Sequence, residues 1–189
     1  MVDSRLEEYF LFPKRSADVA VLEKSPKGVI DYCADLEKNI KAGKGLTLFG
    51  KPGTGKTCSM AVIAKAYCKL YPRRIGLIYI RTTNLLDMFM TGENEFQGWN
   101  LNDIKNTPLL FLDDFGMEYF DRGGYGISKF DSFIDYRYMG QLSTIISTNL
   151  QPKELKEKTE LVRVVSRLRD KAWMKTIITT TDQRIKNNE

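Results

Sequence analysis

There is no histidine anywhere in the chain, and only three cysteines, Cys33, Cys58 and Cys68, none of them in a C-x-x-C spacing. A structural zinc site draws its ligands from cysteine and histidine, so the ligand set for one is missing and the cysteines read as reduced, packed thiols. Long hydrophobic runs are missing too. No stretch reaches the roughly 18 apolar residues that a membrane helix needs. The N-terminus mixes Asp3, Arg5, Glu7 and Glu8 instead of placing a basic segment ahead of an apolar one, so no signal peptide is visible. The default expectation is a cytoplasmic protein with no membrane partner. Internal repeats and low-complexity tracts are absent as well. What is present suffices for one core: 42% of the 189 residues are hydrophobic, which suits a single globular unit better than two.

The most informative stretch is Gly50-Lys51-Pro52-Gly53-Thr54-Gly55-Lys56-Thr57, a complete G-x-x-x-x-G-K-T loop. Leu46 to Phe49 reads as a buried strand feeding it, and Thr57 to Tyr71 as the helix leaving it. Glycines let successive backbone N–H groups converge on phosphate oxygens, and the helix N-terminus adds partial positive charge there. The nucleotide-binding set expected from this stretch is Gly50, Gly53, Thr54, Gly55, Lys56, Thr57 and Cys58. Lys56 reaches the β- and γ-phosphates of ATP, and the Thr57 hydroxyl coordinates Mg²⁺.

Further on, Pro108-Leu109-Leu110-Phe111-Leu112-Asp113-Asp114 ends four bulky apolar residues in two carboxylates. Alone, the pair could simply open a turn. Downstream of a phosphate loop it reads as a Walker B strand, with Asp113 at the strand's C-terminal end holding the Mg²⁺ cluster and Asp114 orienting or deprotonating the attacking water. Ser143 to Thr148 is another β-branched strand. It ends at Asn149, an amide that could contact the γ-phosphate or serve as an ordinary turn residue.

The remaining chain reads in order. An irregular arm leads to a helix that starts at Ser25-Pro26, with the hydroxyl as N-cap and proline at the first helical position, and runs to about Lys41 with Val29, Ile30, Cys33 and Leu36 on its apolar face. Gly76 to Ile80 is a buried strand, 82–90 a helix, and 92–106 a polar connection with room for one more short helix. Residues 118–126 form a glycine-rich loop whose aromatics and arginine suit base stacking or simply pin the loop. Ile127 to Met139 is amphipathic, with Phe130, Phe133, Ile134 and Tyr138 on one face. A short charged helix spans Pro152 to Lys158. In the next helix Leu161, Val164, Val165 and Leu168 form the packing stripe, and Arg163 and Arg167 project together from the opposite face. Arginines turned away from their own core need water or a partner. Simple solvation and a finger offered to a neighbour's γ-phosphate are both open. Trp173 to Thr179 supplies a last strand.

Net charge is +5, and the region from Leu150 onward holds ten Lys/Arg against six Asp/Glu. That basic excess fits a polyanionic partner or a solvated helix surface.

Taken together, Gly50 to Thr57, Leu112 to Glu118, Ile134-Asp135-Tyr136-Arg137-Tyr138, Ser147-Thr148-Asn149-Leu150 and Val165-Ser166-Arg167-Leu168 resemble the DnaC/IstB-like AAA+ ATPases. That group holds bacterial and phage replicative helicase loaders of the DnaC and DnaI types, and transposition helper ATPases. The resemblance implies a three-layer α/β P-loop NTPase fold, an AAA+ or RecA-like parallel sheet with helices on both faces and a reduced or absent lid domain. Residues 1–43 are then an arm and helix packed on a core of 44–189. It further implies that Asn149 is sensor 1, that Arg167 is the trans-acting finger with Arg163 assisting, and that Arg184 is a remnant of the family's terminal arginine. Loaders of this group carry an N-terminal extension, zinc-binding in some, whereas here only about forty residues precede the core.

The leading expectation is a Mg²⁺-dependent ATPase of DNA replication that oligomerises around ATP and grips single-stranded DNA, a replicative helicase or both. A transposition helper, a P-loop small-molecule kinase and a nucleotide-gated binding module with little turnover are the alternatives. The Asp113-Asp114 pair with Asn149 argues against the kinase, and intact Lys56 and Asp114 argue against the module.

Overall fold

Five short apolar stretches, each too brief for a helix and rich in aliphatic or β-branched residues, hydrogen-bond into one sheet. They are β1 (Gly45–Phe49), β2 (Leu77–Arg81), β5 (Leu109–Phe115), β6 (Ser143–Thr148) and β7 (Trp173–Ile177). The order across the sheet is β2-β5-β6-β1-β7, and every pairing is parallel. The computed structural model describes residues 20–178, apart from 73–75, 93, 94, 117–124, 159, 160, 169, 171 and 172, and with them Phe12, Pro13, Ser16 and Asp18.

Parallel strands buried on both faces need apolar residues at successive positions, because the side chains alternate between two cores. In β5, Leu109 and Phe111 enter one core while Leu110 and Leu112 enter the other. The first core lies under α1 (Lys27–Ala34), α2 (Leu36–Lys41) and α3 (Lys56–Leu70), through Val29, Tyr32, Leu36, Met60, Ile63 and Tyr67. Phe12 closes this side, its ring 4.5 Å from Tyr79 and 5.1 Å from Phe111. The second core lies under α4 (Thr82–Thr91), α5 (Leu101–Asn106), α6 (Tyr125–Met139), α7 (Pro152–Glu157) and α8 (Val162–Leu168). The result is the expected three-layer α/β architecture. Among the described residues no helix is long and apolar enough to cross a membrane.

Three local expectations need correction. The first helix is two, broken at Asp35, where Asn39 Nδ2 donates to the Tyr32 carbonyl at 3.0 Å and so satisfies an acceptor that α1 leaves open at its end. Pro26, not Ser25, is its N-cap, and the Ser25 hydroxyl donates backwards to Val21 O at 2.9 Å. The polar connection 92–106 contains a small antiparallel ribbon, β3 (Glu95–Phe96) and β4 (Trp99–Asn100), as well as α5. Its turn residues Gln97 and Gly98 both have positive φ, 50° and 87°, the backbone of a two-residue hairpin. Glutamine is not one of the residues that usually announces such a turn.

The third correction concerns α6. Its buried face is Phe130, Phe133, Ile134 and Arg137, not Tyr138. Arg137 is 1% exposed and, among the described residues, has no carboxylate among its hydrogen-bond partners. Instead its fork donates to the carbonyls of Lys105 (3.0 Å), Thr107 (2.9 Å) and Ser143 (2.7 Å) and to Thr144 Oγ1 (2.9 Å), with Ile104 O at 3.3 Å. Two of these carbonyls, from Ile104 and Lys105, lie in the last turn of α5, where the helix leaves acceptors unpaired and its dipole is negative. Burial pulls the guanidinium pKa down to about 9, which still leaves it charged at neutral pH. Arg137 is therefore an interior staple between α5, α6 and the start of β6. Arg137→Met should lower the unfolding free energy by about 3 kcal/mol or more, since several buried carbonyls lose a charged donor at once. Urea denaturation followed by circular dichroism measures this, and a loss below about 1 kcal/mol would contradict the staple.

Candidate functional site

Ligands of open parallel sheets bind beyond the carboxyl ends of the strands, where neighbouring connections diverge. Here β6 lies between β1, which feeds the glycine loop, and β5, which carries the two carboxylates. The C-terminal ends of the three strands thus bring Gly50, Asn149 and Asp113 side by side.

Loop geometry follows from its glycines. Gly55 is the N-cap of α3 with φ 92°, a conformation in which a side chain is strained even though a Cβ there would meet nothing within 4 Å. Gly50 is needed for the opposite reason: a Cβ would come within 2.7 Å of Thr54 Oγ1 and 3.0 Å of Ile178 O. Gly53 also has positive φ, 79°. Gly50 N donates to Thr148 O at 3.2 Å and Thr54 Oγ1 to Lys51 O at 2.8 Å, which ties the loop to β6 and to itself. Cys58, in the first turn of α3, is half-buried.

Lys56 is 6% exposed, and an ammonium drawn into the protein needs acceptors. It donates to Gly50 O at 2.8 Å, Lys51 O at 3.0 Å and Asn149 Oδ1 at 2.6 Å. Because lysine is donor only, the amide atom facing it must be the oxygen, and Asn149 Nδ2 points its donors the other way. Thr57 Oγ1 donates to Asp113 Oδ2 at 2.9 Å. A hydroxyl and a carboxylate side by side are hard oxygen donors of the kind that suit Mg²⁺ beside phosphates, so the residues present fit that ion. Among the described residues no group of three or more His, Cys, Asp and Glu could hold a metal without such phosphates.

Asp113 has more partners than the sequence suggested. Tyr79 on β2 donates its hydroxyl to Oδ2 at 2.6 Å, and Ser147 Oγ on β6 makes a very short bond to Oδ1. Burial, and then the adjacent Asp113 carboxylate, push the Tyr79 hydroxyl well above its usual pKa, so it remains a donor. Both partners sit on strands flanking β5 and were missed because strand order decides which side chains meet Asp113. Asp114 follows with φ 59°, and the β5–β6 register shifts between Leu112 and Phe115. Aspartate tolerates this conformation better than most residues, and bulges re-aim the side chains beside them. The Asp114 N–H donates to Ser147 Oγ at 3.0 Å and Asp113 Oδ1 at 3.2 Å.

Lys56, Thr57, Asp113, Asp114 and Asn149 are therefore gathered at one edge of the sheet. Arg167 is not among their partners. The packing stripe of α8 is buried as expected, but its arginines do not simply face outward. Arg167 is 21% exposed and ion-paired to α6 through Asp135, while Arg163, 78% exposed, lies 3.4 Å from Asp131. Helical periodicity shows which face is polar, not that another helix offers carboxylates to it. Arg184 and residues 118–124 of the expected glycine-rich loop lie outside the described residues, while Tyr125 and Gly126, expected in that loop, already belong to α6.

A glycine loop between β1 and α3, facing an acidic strand across a polar strand tip, defines a fold of the P-loop NTPase class. No family model matches the chain. The replicative helicase loader DnaI of Bacillus subtilis (strain 168) is 35% identical over 117 residues, a match covering 60% of this chain and 36% of that protein. The match thus spans little more than a third of that relative's length. A crystal structure of DnaI superposes with a TM-score of 0.68 at 26% identity, covering 93% of this chain and 95% of that one. A crystal structure of the DnaC helicase loader gives a TM-score of 0.67 at 27% identity, covering 88% of this chain and 100% of that one. In sequence and in fold the chain is similar to the DnaC- and DnaI-type helicase loaders, as the resemblance implied.

Tyr79→Phe removes one of the two hydroxyl donors to Asp113 Oδ2, together with the hydroxyl's interaction with Arg81. It should cost about 1 kcal/mol of stability in urea denaturation, the ordinary net value of one such bond or slightly more. An unchanged midpoint would show that the hydroxyl does not hold the carboxylate.

Proposed function

We propose that the chain binds and hydrolyses ATP with Mg²⁺ in DNA replication, as a loader-like ATPase that assembles with copies of itself and acts on single-stranded DNA, a replicative helicase or both. The observation that carries the reading is the pair of contacts Lys56 to Asn149 and Thr57 to Asp113, which join the glycine loop to the tip of β6 and the end of β5. A kinase needs an acceptor pocket at that place; this site offers carboxylates and an amide suited to water. The likeness to proteins named helicase loaders supports the biological setting, and a cytoplasmic location goes with it.

On this reading Gly53, Thr54, Gly55 and Cys58 line the phosphates with backbone N–H groups around the start of α3, while Gly50, whose N–H donates to Thr148 O, lets the loop close against Thr54 and Ile178. Lys56 binds the β- and γ-phosphates, while Thr57 and Asp113 hold Mg²⁺, which neutralises phosphate charge when bound. Asp114 orients the attacking water and takes its proton. Asn149 uses Nδ2 on the γ-phosphate or that water, its Oδ1 being engaged by Lys56. A neighbour's Arg167 completes the charge stabilisation. Tyr79 and Ser147 keep Asp113 in place and touch no substrate.

ATPase assays with and without single-stranded DNA test the reading most directly. Turnover should require Mg²⁺, vanish in Lys56→Ala and rise with DNA; undiminished turnover in Lys56→Ala would remove the central claim. Arg167→Ala should leave ATP binding nearly unchanged while hydrolysis drops by about tenfold or more, below the full range known for such arginines. Mixing it with Asp114→Asn should restore part of the activity, because one variant keeps the finger and the other keeps the water-positioning carboxylate. Absence of any recovery would point to a site complete within one chain.

A further inference from the structure

The arginines of α8 stand one turn apart, at 163 and 167, and the aspartates of α6 stand one turn apart, at 131 and 135, so the two pairs meet as a ladder between helices. Arg167 Nε donates to Asp135 Oδ1 at 2.8 Å, and Nη2 makes a very short bond to the same oxygen. Nη1 donates to Arg163 O at 3.0 Å and lies 3.6 Å from Asp131 Oδ1. That Asp131 oxygen is buried and has no hydrogen-bond partner, so the nearby guanidinium is what offsets its charge. The fork with which an arginine grips a phosphate is the edge already occupied by Asp135.

We propose that Asp131 and Asp135 are positioning residues for Arg167: they store its guanidinium on its own subunit, and it turns to a neighbour only when a triphosphate there outcompetes the two carboxylates. This rests on the reading of Arg167 as a trans-acting finger. The γ-phosphate of a triphosphate puts an extra dianionic group with several oxygens at the outer end of the nucleotide, where an arginine of the next subunit meets it, so a triphosphate wins the exchange; a diphosphate lacks that group, and it and an empty neighbour do not. Assembly is thereby coupled to the nucleotide state of the adjacent subunit, and Asp131, left beside Arg163 alone, draws the finger back once the γ-phosphate is gone.

Asp135→Asn in the full chain tests the storage. The amide keeps an acceptor for the fork but not the charge. The protein concentration for half-maximal ATP hydrolysis should fall by about two- to five-fold, the range a partly exposed ion pair supplies, with the saturating rate kept. Sedimentation should show assemblies persisting with ADP that the parent loses. An unchanged concentration midpoint overturns the proposal. So does a saturating rate that falls toward that of Arg167→Ala, since Asp135 would then hold the finger in its working position. If Asp135→Asn loses its cooperative melt, Asp131→Asn carries the same expected direction with the Asp135 bond retained. The two readings separate cleanly: an inactive Arg167→Ala with a parent-like Asp135→Asn removes only the storage, whereas a parent-like Arg167→Ala removes the finger and the storage together.

Discussion

The Lys56 ammonium sits in the body of the protein with three oxygens around it, and one of those oxygens belongs to Asn149, just past the end of β6 and ninety-three residues further along the chain. That arrangement is possible only because β6 is inserted between β1 and β5. Were β1 paired directly with β5, the carboxylates would face the lysine and Asn149 would stand apart. With β6 between them, an uncharged amide separates the cation from the acid, and Asp113 turns instead to the Thr57 hydroxyl. Strand order thus decides the electrostatics of the site before any side chain is chosen.

The same insertion explains the polar interior of β6. Ser143, Thr144, Ser147 and Thr148 are all buried, which is unusual for a central strand. Ser143 O and Thr144 Oγ1 receive Arg137, Ser147 Oγ bonds Asp113, and Thr148 O receives the amide of Gly50. The remaining β6 hydroxyls are partnered too, Ser143 Oγ donating to Asn39 O and Thr148 Oγ1 accepting from Leu150 N, as burial requires. A strand that looks merely β-branched is in fact the shared wall of the loop, the acid strand and the helix staple.

Much of this was legible from residues alone. The glycine loop, the acid strand and the Asn149 tip are written in contiguous spacing, so the order of elements could be read, and so could which of their side chains come together at the candidate site. Tyr79 and Ser147 could not, because they reach Asp113 across strands, and adjacency in a parallel sheet is not written in any local pattern. Arg137 could have been found: it stands seven residues after Phe130, on the same helical face as Phe133 and Ile134, and only its charge argued against burial. The break at Asp35 escaped because nothing in its immediate surroundings resembles a stop signal; Asn39, four residues on, is what makes it stable.

One further property follows from where Arg137 sits. It grips carbonyls in the last turn of α5 and in the connection that leads to β5, where Thr107 O lies only two residues before the strand begins. Asp131 and Asp135, on the same helix, hold α8 through Arg167. Helix α6 is therefore a beam fastened at one end to the root of the acid strand and along its side to the helix that bears Arg167. A displacement of α8 against α6 loads the foundation of the strand that carries Asp113, so the edge of the molecule and its centre are mechanically joined through a single fifteen-residue helix.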